Sequence, residues 1–130
     1  MKPSPHLQAI VQRILFADAA LEAIVCVALL GIVGNPHRWL DVDRSVTLIA
    51  AGVFFVAAIG VLLLALLPST TRATVQYLAF GNVAGGLAVW LFTALNWDRF
   101  LSEGHWFLGA TADAFVLIGL LEFVALWRTQ

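Results

Sequence analysis

The sequence predicts an all-α integral membrane protein, a four-helix bundle with antiparallel up-down-up-down connections, and three observations predict it. Four apolar runs, 14–33, 46–67, 75–95 and 106–127, occupy most of the 130 residues. A helix of about 20 residues, rising 1.5 Å per residue, crosses the roughly 30 Å hydrocarbon layer of a bilayer. Hydrophobic residues make up 62% of the chain and charged residues 12%, whereas a soluble domain carries about 25% charged residues. The connections between runs are short, so successive helices must reverse direction. The first expected partner is therefore the lipid bilayer, in which a helix satisfies its own backbone without water.

Leu7, Ile10, Val11 and Ile14 recur at helical spacing, so the first helix is expected to begin in the interface, with Pro3 and Pro5 as its upstream limit. This first apolar run contains Asp18 and Glu22 and no A-x-A exit, so it is expected to be a retained span rather than a cleaved signal segment. It stops at Gly34, Asn35 and Pro36, because Gly and Asn tolerate left-handed caps and Pro cannot continue a helix. The second run stops at Pro68, and Ser69, Thr70 and Thr71 make a tight turn into the third. The third stops near Asn96, Trp97 and Asp98, and a loop through Gly104 leads into the fourth. The whole of 1–130 reads as one four-span domain.

Lys2, Arg13, Arg72 and Arg128 fall on the side of the termini and the middle turn, against Arg38, Arg44 and Arg99 on the other. The excess of basic residues on the cytoplasmic side of membrane proteins then puts both termini in the cytoplasm, with the bacterial inner membrane as the expected location. Trp97 and Trp106 flank one interface and Trp127 the other, as interfacial aromatic belts require.

The residues that point to chemistry are the acids inside the spans. Asp18 and Glu22 lie four apart, hence on one helix face that continues through Val25, Cys26 and Leu29. A charge at the bilayer centre costs about 2.5–3.5 kcal/mol on insertion scales, so this face is expected to turn into the bundle. No Lys, Arg or His lies centrally in any span. Without a counter-charge, Glu22 is expected to hold its proton for at least part of the time at neutral pH. Asp113 and Glu122 are nine residues apart, which at about 100° per residue puts them on opposite faces of the fourth helix. One is expected to face the bundle and the other a neighbouring protomer or the interface, with Glu122 reaching toward Arg128 or headgroup water. Gln76, Tyr77, Asn82, Thr93 and Thr111 are the polar partners available to these acids.

In the third run, Gly81 and Gly85 form a G-x-x-x-G pair that Ala84 and Ala88 widen, a small-residue face on which another helix can pack closely. Asn82 sits beside that face, able to bridge to an acid on another helix. No G-K-[ST] follows the glycines, so the run does not read as a phosphate loop.

The charge balance of −1 and the scattered basic residues give no patch for nucleic acid. His6, His37 and His105 all lie outside the spans and match no ligand spacing, so neither a metal nor a haem cofactor is expected. The single Cys26 reads as a small buried side chain. No nucleophile–base pairing is evident among the serines, and the chain is not expected to be an enzyme.

In layout the sequence is similar to small multidrug transporters, which carry a carboxylate in the first helix as at Asp18 or Glu22, and to fluoride channels, with Asn near glycines as at Asn82. Membrane glutathione-dependent enzymes share the four spans. The likeness in each case is one of layout, and no residue roles transfer. The expected function is that of a non-enzymatic structural or accessory membrane protein, packing with itself as a homo-oligomer or within a larger membrane complex. The alternative is a proton-coupled transporter of a small solute with Glu22, or the Asp18/Glu22 pair, as its carrier; the proton, ion or polar-core candidates are Asp18, Glu22, Asn82, Asp113 and Glu122.

Overall fold

A computed structural model describes residues 5–34, 39–68 and 70–128, with side chains from residue 8 onward. Four helices run α1 (Pro5–Val33), α2 (Arg44–Leu66), α3 (Arg72–Leu95) and α4 (Ser102–Trp127), with a single 3-10 turn at Trp97–Arg99 before α4. All four are long and apolar enough to cross a membrane. The expectations for Lys2, Pro3, His6, Asn35, Pro36, His37, Arg38 and Ser69 lie outside the described residues or side chains. Gly104 falls within the first turn of α4 rather than in the loop before it, since the helix already starts at Ser102.

α1 lies along α2, α3 lies along α4, and the two hairpins meet mainly through α1 and α4. In the most apolar stretches of α1 and α4, 39% of residues are buried, against 17% in α2 and 22% in α3. α1 and α4 are thus the inner pair, and α2 and α3 present broad apolar faces outward, as a bundle dissolved in lipid can do without penalty. Val25, Cys26 and Leu29 pack with Ala51 of α2 and Phe115 of α4, and Phe54 stacks on Phe115 at 5.5 Å between ring centroids.

The helix ends are tied by local chemistry. At one end Gln12 Nε2 donates to the Leu67 carbonyl at 3.0 Å, Gln8 donates to the Pro68 carbonyl, and Thr71 Oγ1 caps α3 by accepting from the Thr74 N–H at 3.2 Å. At the other end the two loops are stitched together. Leu40 bridges Phe100, Leu101 N–H donates to the Trp39 carbonyl at 3.3 Å, and Arg99 Nη2 donates to the Asp41 carbonyl at 3.0 Å. Gly104 is required here, because a Cβ at that position would collide with the Trp39 carbonyl.

Asp43 caps α2. Its Oδ1 accepts from the Ser45 N–H at 2.9 Å and from the Ser45 hydroxyl at 2.8 Å, and those donors hold the carboxyl below its ordinary value of 3.8. A depressed native value means that the cap's contribution is fully present above about 3.8 and is lost as pH falls through the lower native value. Relative to an Asp43→Ala variant, the Ser45 amide is expected to be protected from hydrogen exchange at neutral pH. That difference closes only in acid; a difference independent of pH would assign the protection to something other than the carboxylate.

Candidate functional site: a buried carboxyl–amide cluster

α1, α3 and α4 each contribute to one buried cluster of carboxyl and amide groups. Asp18, Glu22, Asn82 and Glu122 are 0%, 6%, 8% and 1% exposed. The Asn82 amide lies between the two hairpins, with Nδ2 donating to Asp18 Oδ2 at 2.9 Å and to Glu122 Oε2 at 3.2 Å. Glu22 stands one turn from Asp18 on the same face of α1 and is likewise buried.

The local sequence explains the convergence. Gly119 lies one turn before Glu122 and sits against the Ala79 carbonyl and Val83 of α3, so the α3 backbone approaches α4 at the level of Asn82. A helical side chain leans toward the N-terminus of its own helix, which carries the Glu122 carboxyl back to that level. Asp18 stands roughly 9 Å along α1 from Gln12, at 1.5 Å per residue, and Gln12 binds the end of α2. The cluster therefore lies roughly 9 Å in from that end of the bundle.

The cluster has more acceptors than donors. Asp18 Oδ1, Glu22 Oε2 and Glu122 Oε1 are buried with no hydrogen-bond partner among the described residues. Among the described residues the one ion pair is Arg99–Asp41 at 3.8 Å on the surface, so no described side chain pairs a cation with the three carboxyls. Nor does any trio of His, Cys, Asp or Glu stand at metal-holding separation among the described residues. With one amide and no cation, the donors that three carboxyl groups can offer each other are their own O–H groups.

The expected inward face of α1 is the observed one: Asp18, Glu22, Val25, Cys26 and Leu29 are all buried. Three other expectations need correction. Glu122 does not reach toward Arg128 or water; it is the inward acid of α4. Asp113 is the outward one, exposed on α4, its Oδ1 accepting from Trp90 Nε1 at 2.9 Å. Gly81, Gly85 and Ala88 do not pack the bundle: all three are exposed, and a Cβ at Gly81 or Gly85 would have nothing within 4 Å. The close helix approach within the chain runs instead through Gly86 and Gly119, whose added Cβ atoms would lie 2.6 Å from the Ala112 carbonyl and 2.7 Å from the Ala79 carbonyl. Of the polar residues expected as partners for the acids, Gln76 and Tyr77 face outward, and Thr93 is buried but donates to the Val89 carbonyl of its own helix at 2.7 Å. Gly119 and Trp90 carry no signal in the sequence, because a lone glycine or tryptophan in an apolar span has no spacing partner, and Gly86 is hidden beside Gly85.

Comparison of the chain with protein-family models, curated proteins and solved structures gives no match in any of the three. The functional reading therefore rests on geometry.

Proposed function

We propose that this chain is a non-enzymatic, lipid-embedded four-helix protein in which protons held among Asp18, Glu22 and Glu122 fasten the two helical hairpins through Asn82. It works as a packing partner, for a second copy of itself or within a larger membrane assembly. The observation that carries this reading is the Asn82 amide, buried and bonded to carboxyls on both α1 and α4, a bridge that holds only while all three helices stay together. The bare small-residue face of Gly81, Gly85 and Ala88 supports the packing role, since it allows another helix to approach closely. The bacterial inner membrane with both termini cytoplasmic is the setting in which we place it, and terminal reporter fusions active on the outer face would reverse the orientation.

A second reading, a proton-coupled transporter of a small solute, is favoured by the surplus of carboxyl oxygens: an amide and one acid would suffice to join helices, and an intramembrane acid is by default a functional hypothesis. Glu22→Gln separates the two. The amide keeps the shape of a neutral carboxyl, so the packing role predicts an assembled protein of unchanged thermal midpoint and no change in proton entry into liposomes loaded with a pH-sensitive dye. Proton entry that needs the wild-type protein and is abolished in Glu22→Gln would replace the packing role with transport.

A further inference from the structure

Away from the buried cluster, a cleft of about 490 Å³ opens between the end of α3 and the first half of α4. Its walls include Trp90, Trp97, His105, Trp106, Gly109 and Asp113. This size falls within the range of roughly 300–1,000 Å³ typical of small-molecule sites. The cleft is built rather than incidental. His105 stacks on Trp97 at 3.9 Å between ring centroids, nearly parallel, and its Nε2 is pinned to the Trp97 carbonyl at 2.8 Å. Trp90 is fixed by its indole N–H on Asp113 Oδ1 and meets Gly109 at its far edge, where a Cβ would stand 3.4 Å from the ring.

The chemistry of the lining is of one kind. Three indole rings, whose faces carry negative π charge, line the cleft, and Asp113 is the one carboxylate among the lining residues. Asp98 and Glu103 neighbour Trp97 and Ser102 in the chain at the mouth of the cleft, and the nearby Arg99 is engaged by Asp41. Asp113 also breaks the rule that an intramembrane acid faces the bundle interior. It stands exposed on α4 with Trp90 as its hydrogen-bond partner, and it lines the cleft.

The geometry points to a binding site for a methylated ammonium group, held by cation–π contact with Trp90, Trp97 and Trp106 and by charge attraction to Asp113. The site is independent of the carboxyl–amide cluster. An aromatic cage with one carboxylate recognises such an ion because its charge is diffuse and its methyl groups are apolar, so it is lightly hydrated and matches indole faces better than water. Cations of this chemistry come from two sources, a choline lipid headgroup at the interface or a soluble quaternary ammonium.

The test is tryptophan fluorescence of the full chain in nanodiscs of phosphatidylglycerol, titrated with choline and with its neutral carbon isostere, 3,3-dimethylbutanol. Choline is expected to give a saturable change and the isostere none. Asp113→Asn and Trp106→Leu are each expected to weaken choline binding by about tenfold or more. Both residues are exposed, and an unchanged helical circular dichroism spectrum and thermal midpoint confirm folding. If the headgroup is the natural occupant, phosphatidylcholine discs compete and the choline response falls; if the soluble ion is, it persists in both lipids. An equal response to choline and to the isostere, or an unaltered choline response in both variants, overturns the site and leaves the tryptophans as an interfacial belt.

Discussion

Asn82→Leu is expected to destabilise the bundle by about 1–3 kcal/mol, because it removes the donor from two buried carboxyls at once while leaving both acids in place. The lower part of that range allows for polar groups finding other partners when helices separate within the bilayer, which holds measured interhelical hydrogen bonds in membranes to about 0.6 kcal/mol on average. A net stability of only about 5–15 kcal/mol makes even the lower figure visible. Steric trapping or detergent-driven unfolding in micelles reads it directly. The combination Asn82→Leu, Asp18→Leu and Glu122→Leu carries the sharper expectation. With donor and acceptors all replaced by apolar groups, no buried acceptor is stranded, and most of the stability returns. A neutral single variant would mean that the amide is not holding the hairpins. A triple variant as weak as the single would mean that the loss came from packing.

Gly119→Ala and Gly86→Ala are expected to be the most disruptive methyl additions where α3 meets α4. The new carbon would lie 2.7 Å from the Ala79 carbonyl and 3.0 Å from the Val83 nitrogen in the first case, and 2.6 Å from the Ala112 carbonyl in the second. Because backbone atoms cannot swing aside, α3 and α4 must separate, at a cost of about 1–3 kcal/mol each from overpacking. The separation also moves Asn82 away from Glu122, so Gly119→Ala is expected to shift the stability in the same direction as Asn82→Leu and to add less than its full effect on that background. Gly81→Ala and Gly85→Ala serve as controls, with open space at both positions. They are expected to stay within about 0.5 kcal/mol of wild type. Thermal midpoints in one detergent compare all four, and equal midpoints across the set would contradict the helix approach described here.

These two predictions sit where sequence and structure part. The spans and their turns could be read from length, Pro68 and Gly34, and the inward face of α1 from the four-residue spacing of Asp18 and Glu22. The opposition of Asp113 and Glu122 was equally legible. Which of them turned inward was not, because it depends on Asn82 arriving from another helix. The face of α3 was ambiguous for a related reason. Gly81, Gly85 and Ala88 form one small-residue stripe, while Ala79, Asn82 and Gly86 form another about a third of a turn away. In lipid an apolar helix loses little by exposing either, so no polar contrast marks the buried side. The stitching of Trp39 and Leu40 to Phe100, Leu101 and Gly104 joins loops far apart in sequence, and nothing in either loop announces the other.

Three buried acids share the interior, two of them bonded to the Asn82 amide, and their own protons are proposed to supply the remaining donors. Infrared spectra of the protein in lipid nanodiscs at neutral pH test this most directly. A carbonyl stretch of neutral carboxylic acid is expected in the wild type, diminished in Glu22→Gln and Glu122→Gln and again in Asp18→Asn. A spectrum showing only ionised carboxylate, unchanged by any of these substitutions, would contradict it.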